Sequence, residues 1–481
     1  MAKHLSQSEL DLIFGEESRG ATLKERASDS RSLFVRGQVQ LAPFSQVASG
    51  RVLTALQAVE EFGGETVLRA IREGSASLIS NAEEPATTLK ARRLELGLDV
   101  TQVARRAHVS DNDIVNAETP GTRVPIRILE RIAQTLALDE RTLGYEPNTG
   151  RDEGLGVRLR EMGAANSVPL SSSVVLSLAE AAWVIARQQA LQKSIGESDR
   201  ENFPQPSYAY QSPVYRAGYD LAARTRALLG LEELVPIESV RHIVEDEFHI
   251  PLVQLKMGPR LAGATIANTG IRGIVINEEG HNSNVWVRRM TMAHELGHLL
   301  WDPDERLKAV RVDAYDDIEN TAELAKGREP EEVRANAFAI AFLAPPAGVQ
   351  RIVNEENDFA AALSRTMSTY GISLTAAKHH LRNVANVPFS QYSSGPEPDE
   401  QWIALENLTL DFFPIGATPL SRRGRFGWLV AKAVLAGLIT PDSAASYLSV
   451  PVEDVTQEAL MSVLALGQPE TDARTSRLWP R

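Results

Sequence analysis

The 481-residue chain contains no cysteine. That absence excludes disulfides, cysteine-ligated metals and cysteine nucleophiles together, so any bound metal must be held by His, Asp or Glu. A run of membrane-spanning length is also missing. The longest apolar helical segment, near Ser173 to Ala190, is interrupted by Glu180 and Arg187. The opening MAKHLSQSELDLIFGEE has no apolar core of signal-peptide length. These two features predict a cytoplasmic protein with no membrane contact. Basic charge is in deficit: 50 Lys+Arg against 63 Asp+Glu leave a net −13. DNA binding would therefore have to come from one module rather than from the whole surface. The remaining composition, 43% hydrophobic and 23% charged, is that of an ordinary globular protein, and the length suggests roughly three domains.

Histidine is scarce, with 9 in the chain, yet two stand four residues apart in Ala293-His294-Glu295-Leu296-Gly297-His298-Leu299-Leu300. At helical period both imidazoles lie on one face and can reach a single Zn²⁺. Glu295, next to the first histidine, is then placed to take a proton from a water on that metal. Two histidines on a solvated helix face would also fit the spacing, but apolar residues flank the element on both sides.

A catalytic site of this kind needs a third ligand and one open position. Downstream carboxylates are Asp302, Asp304, Asp313, Asp316, Asp317, Glu331 and Glu332. Asp302 and Asp304 lie just beyond the predicted helix and read as solvated acids or loop groups. Glu332 falls in the first turn of a second predicted helix whose inward face continues as Ala335, Asn336 and Ala339. Small residues there would let the two helices approach closely, with Glu332 as ligand and Asn336 as its support. Glu331 is about 100° further round the helix and is expected to face solvent. The oxyanion donor is not identified; His281, His379 and His380 are each more often ordinary histidines.

The chain falls into five expected parts. Residues 1–86 read as a mostly helical lead-in of unknown role, and 87–150 as a cluster of about five short helices broken at Gly97, Val109-Ser110 and Thr119-Pro120-Gly121. Residues 151–210 form a connector that includes a long helix over Ser171 to Ser194. Residues 211–390 are α+β. Helices at Ala217 to Leu229 and Ile237 to Glu247 precede strands at Pro251 to Lys256, Ala262 to Ala267 and Gly273 to Asn277. The metal-binding helix runs from Val285 to Trp301, and a charged insert of about thirty residues separates it from the Glu332 helix. Residues 400–481 make a last helical module. Ala445, Val450 and Val455 in it repeat the spacing of Ala104, Val109 and Ile114, a spacing that core packing also produces.

On these residues, about Tyr215 to Val387 resemble the ImmA/IrrE family of metallopeptidases. The likeness rests on Arg288 to Trp301 (RRMTMAHELGHLLW) after a strand ending Val275-Ile276-Asn277. It rests also on Glu332 to Ala339 ahead of Leu343-Ala344-Pro345, and on Thr369 to Val384. The resemblance implies zinc ligands at His294, His298 and Glu332, with Glu295 as general base. It implies a narrow endopeptidase activity on a partner repressor, often of helix-turn-helix type, triggered by stress or DNA damage. The chain departs from the family in Phe342-Leu343-Ala344, where a Leu-Leu-Met-like run is usual, and in the long acidic insert between His298 and Glu332.

Residues 88–146 resemble the Xre (lambda-repressor-like) family through Leu89, Arg92, Arg93, Val103-Ala104, Val109-Ser110, Ile114, Glu118 and Ile132-Ala133. Ser110 would cap the recognition helix. Ser110, Asn112, Asn116, Arg105 and Arg106 are the candidate DNA contacts, with Asp111 a further candidate base reader. Opposing this, Asp111 and Asp113 put two negative charges at the end that must approach DNA. The segment also holds nine basic and nine acidic residues; a neutral module lacks the phosphate neutralisation that drives binding. Val100 stands where the family usually has glutamine, with Gln102 displaced by two. A degenerate module kept for protein contact fits as well, as does one that imitates, recruits or is itself the substrate.

The expected architecture is mostly α, with an α+β zincin-like metallopeptidase domain (a small sheet and the His-Glu-x-x-His helix) and an N-terminal all-α lambda-repressor-like domain. The favoured function is a zinc-dependent endopeptidase that cuts a helix-turn-helix repressor; Mn²⁺ suits the same His₂Glu donors. The alternatives are an Xre-type DNA-binding regulator whose metal domain senses rather than cleaves, and a toxin–antitoxin component acting through binding.

Overall fold

The computed structural model describes residues 5–46, 49–79, 81–145, 170–197, 214–268, 271–302, 307, 311–314, 330–356, 358–386, 393–407 and 413–466, with no side chains at 268, 311–314 and 407. The chain divides into two compact units, one formed by 1–198 with 409–481 and the other by 199–408. The expected linker stretches 147–167 and 198–211 lie outside the described residues, as do Asp304, Asp316, Asp317 and the side chain of Asp313. Among the described residues no helix is long and apolar enough to cross a membrane.

In the first unit, residues 1–86 hold more than the helices expected of them. Helices Gln7–Phe14, Leu23–Asp29 and Ala55–Phe62 each begin at a capping box: Ser6 with Glu9, Thr22 with Glu25 and Thr54 with Gln57. β1 (Leu33–Arg36), β2 (Gln40–Pro43) and β3 (Arg51–Thr54) lie between the last two, and β4 (Ala76–Ser77) follows a further helix, Gly64–Glu73; together they form an antiparallel sheet of order β3-β1-β2-β4. Strands of four residues or fewer leave little room for the alternation that betrays a strand in sequence. Helices Ala86–Glu95, Val100–Ala107, Asp111–Ala117 and Ile126–Thr135 follow, and then Ser172–Ile195, within a residue of expectation at each end.

Buried charge joins these segments to the C-terminal one. Arg51, fully buried in β3, donates to Glu130 Oε1 (3.1 Å) and to the Tyr447 hydroxyl (3.1 Å). Arg187 of the long helix pairs with Asp139 and Glu140 at 3.0 and 2.9 Å. The echo seen in sequence has a local counterpart. Val100–Ala107 and Pro441–Leu448 both span eight residues and end in a left-handed residue, His108 (φ 54°) and Ser449 (φ 56°). After each, Val109 and Val450 donate to the carbonyls of Ala104 and Ala445 at 3.0 Å.

The second unit is built on β5 (Leu252–Leu255), β6 (Leu261–Asn268), β7 (Ile271–Asn277) and β8 (Arg311–Ala314), in the order β5-β7-β6-β8. β5 and β7 are parallel, whereas β6 is antiparallel to both β7 and β8. The continuous helix expected over Ile237 to Glu247 is instead a short turn, Val240–His242, that widens into a π-helical turn, Ile243–Glu247. The metal helix Val285–Trp301 packs on β6 and β7, and helix Pro330–Leu343 packs between it and helix Val214–Leu228. Two glycines permit that closeness. A Cβ on Gly218 would meet the Ala337 Cβ at 2.7 Å, and one on Gly297 would meet the Phe338 ring at 2.7 Å. Helices Pro346–Glu355, Phe359–Tyr370, Leu374–Ala385 and Glu400–Asn407 complete the unit.

Candidate metal centre

Asn284 caps the metal helix, its side-chain oxygen accepting from the Trp286 amide at 2.9 Å. Every residue from Val285 to Trp301 is buried. His294 and His298, one turn apart, bring their Nε2 atoms to 3.0 Å. Glu332 enters from the first turn of the facing helix; its oxygens lie 3.4 Å from His294 Nε2 and 3.5 Å from His298 Nε2. These three residues form the one group of potential metal ligands found among the described residues. Ligand atoms sharing one tetrahedral ion at ~2.0–2.1 Å stand about 3.3 Å apart, so the observed separations suit a single small cation.

Protonation gives an independent test of fit. His298 Nδ1 lies 2.8 Å from Asp302 Oδ2, and His294 Nδ1 lies 2.9 Å from Asn336 Oδ1. Both partners are acceptors, so each ring carries its proton on Nδ1 and turns a bare Nε2 lone pair into the centre. Two lone pairs and a carboxylate then face one another in a buried space, an arrangement that repels itself unless a cation lies between.

Two sequence expectations are corrected. Asp302 is neither a solvated acid nor a ligand. It is 3% exposed, and it bridges His298 to the buried Arg334 guanidinium. Its position four residues after His298 is the helical signal that could have marked it. Glu331 does not face solvent; it is buried beside Glu332, in a helix packed against both Val214–Leu228 and Val285–Trp301. Asn336 supports His294, whereas its expected role was beside Glu332.

Glu295 is fully buried, and its Oε2 accepts from the Thr265 hydroxyl of β6 at 2.6 Å. Thr265 was not legible beforehand, since a threonine within an apolar strand reads as β-propensity alone. His380 is buried, between the Ala344 carbonyl and the Tyr219 hydroxyl at 2.7 Å each. Burial lowers its pKa to about 4, so it is a neutral structural group. His281 is exposed and His379 half-buried.

The residues named for DNA contact lie in the other unit. Ser110 does cap helix Asp111–Ala117, in a reciprocal box with Asp113. Arg105 and Asn112 are exposed and Asn116 is half-buried. Arg106 is engaged within its own unit, at 2.5 Å from Glu180, and Asp111 accepts from the Thr101 hydroxyl at 2.8 Å.

Residues 246–382 match the protein family described as the IrrE N-terminal-like domain, Peptidase M78. The matched stretch contains His294, Glu295, His298 and Glu332, and thus the whole centre. It leaves out helix Val214–Leu228 and the segment 393–407. No curated protein matches the chain. The second unit thus contains a stretch that matches a peptidase-family domain, with a donor set that fits a metal.

Proposed function

We propose that the protein is a regulatory zinc-dependent endopeptidase that cleaves one protein partner, a helix-turn-helix repressor, in a stress, DNA-damage or mobile-element response. The observation that carries this reading is the pairing of a His294–His298–Glu332 donor set with a buried Glu295 on the same helix. A purely structural site has no need of that carboxylate. When bound, the cation supplies Lewis acidity, lowering the pKa of a water and polarising a carbonyl. Glu295 takes the proton released by the attacking water and hands it to the leaving amine. Asn336 and Asp302 keep both imidazoles in the tautomer and orientation that bind metal.

Exposed Arg105 and Asn112 favour a second reading, in which the Ser110-capped helix contacts DNA. The engagement of Arg106 by Glu180 and the acidic Asp111 weigh against it. Salt-dependent binding to the protein's own promoter would support it.

The test is to map new protein N-termini in cells expressing wild type or Glu295→Gln, with and without DNA damage. Metal content of both proteins is measured by mass spectrometry. A discrete terminus that depends on Glu295 names the substrate. Identical maps under every trigger, with metal bound in both proteins, would replace the peptidase reading with a sensing or binding role.

A further inference from the structure

Gly263 and Thr265 stand two residues apart on β6 and so point to the same face, towards the metal helix. The two residues meet the two oxygens of Glu295. Thr265 donates to Oε2 at 2.6 Å, and a Cβ placed on Gly263 would come within 2.8 Å of Oε1. That Cβ would also lie 3.0 Å from both the Val275 carbonyl and the Thr291 methyl, so the space beside Oε1 exists only because residue 263 has no side chain.

The strand is held in this register from both sides. Gly263 and Thr265 pair with Ile276 and Ile274 of β7. Asn282, which is fully buried, donates to the Ala262 carbonyl at 2.8 Å and accepts from the Thr291 hydroxyl at 2.9 Å. Thr291 lies one helical turn before Glu295, so β6 and the carboxylate are tied to one rigid element.

We propose that Thr265 is a positioning residue for Glu295. It pins Oε2 and so makes Oε1, above Gly263, the oxygen that receives and returns the proton. A glutamate side chain has three rotatable bonds, and fixing one oxygen beforehand removes the reorientation that would otherwise accompany each transfer. The proton count closes. An O–H bond of water breaks as Oε1–H forms, then Oε1–H breaks as the amine N–H forms, and the Thr265 hydroxyl keeps its own proton throughout. This inference rests on the reading of Glu295 as general base.

The experiment compares wild type, Thr265→Val, Thr265→Ser, Gly263→Ala and Glu295→Gln in the full, metal-loaded chain. The probe is a proteome-derived peptide library read by mass spectrometry, and kinetics follow on a cleaved peptide. Thr265→Val should lower kcat about ten- to a hundredfold, with KM and metal content unchanged. Thr265→Ser should restore kcat to within about threefold, because it keeps the donor. Gly263→Ala should lower kcat although the hydroxyl is intact. Equal kcat in wild type and Thr265→Val would overturn the proposal, as would a loss confined to KM.

A second readout needs no turnover. Denaturation midpoints of Thr265→Val, Glu295→Ala and the double variant should be non-additive if the hydroxyl holds the carboxylate. Additive shifts overturn the proposal. If wild type and Glu295→Gln cleave alike while the midpoints couple, the hold on Glu295 stands and the peptidase reading falls.

Discussion

Arg289 and Glu406 form an ion pair in which neither side chain is exposed, although 117 residues separate them. Arg289 lies in the first half of the metal helix. It also donates to the carbonyls of Ile237, Glu238 and Gly371, and its guanidinium stacks 4.4 Å from the Trp402 ring centre. Glu406 accepts in turn from the Val240 and Arg241 amides at 2.8 and 3.1 Å. A helix outside the family-matched stretch is thereby fastened to the helix that carries the candidate ligands His294 and His298. Glu406→Ala leaves Arg289 buried without its counter-charge, which costs about 3–5 kcal/mol. Urea denaturation followed by tryptophan fluorescence should show the second unit melting earlier. A loss under about 1 kcal/mol would mean that the pair contributes no more than a surface bridge.

Asn336 Oδ1 accepts from His294 Nδ1 at 2.9 Å. Removing such a support costs about 10- to 100-fold in metal affinity. Asn336→Ala should therefore lose affinity by that factor in competition titrations with a zinc chelator, while its helical circular dichroism stays at the wild-type value.

Gly297 lies between the ligand histidines and against the Phe338 ring. A methyl group there must push the Glu332 helix outward, and overpacking of this kind costs about 1–3 kcal/mol. In Gly297→Ala the carboxylate retreats from the two imidazoles, so chelator competition should reveal weakened metal binding. Unchanged affinity would show that Phe338 rotates away instead.

Glu180 sets a pH dependence in the first unit. Burial would raise its carboxyl, but the Arg422 and Arg106 guanidiniums and the Ser421 hydroxyl outweigh it and hold the group below its ordinary value of 4.5. A depressed folded-state pKa means that the unfolded chain binds the proton first. The stabilisation is therefore fully present above pH 4.5 and is lost as pH falls further. Glu180→Gln should be less stable than wild type by about 2 kcal/mol at pH 7. The gap should shrink below pH 4.5, as read from denaturation midpoints at pH 7, 5 and 4. A gap that stays constant with pH would assign the effect to packing.

The metal helix was legible from Val285 to Trp301 because its punctuation is local: a capping Asn284 before it, and Asp302-Pro303 after it. Glu332 was legible as a carboxylate in the first turn of a small-residue helix. The sheet of β1 to β4 was not, since strands this short show little alternation, although the equally short β5 was legible as an apolar run. Nor was the joining of 413–466 to 1–198, which depends on Arg51 reaching the Tyr447 hydroxyl, Arg187 lying over the Tyr447 ring and Arg422 donating to Gln134, partners that sequence distance conceals.

The sequence by itself determined that two imidazoles share one helix face with Glu295 about 100° round from the first, because a 3.6-residue period leaves no other arrangement at that spacing. Only the tertiary structure decided what stands opposite each of these groups. It put Asp302 and Asn336 behind the histidines, Thr265 on the carboxylate, and Glu331 in the interior where amphipathic reasoning expected solvent. Such pairings are set by which surfaces pack together, and packing is a property of the whole unit that no local window contains.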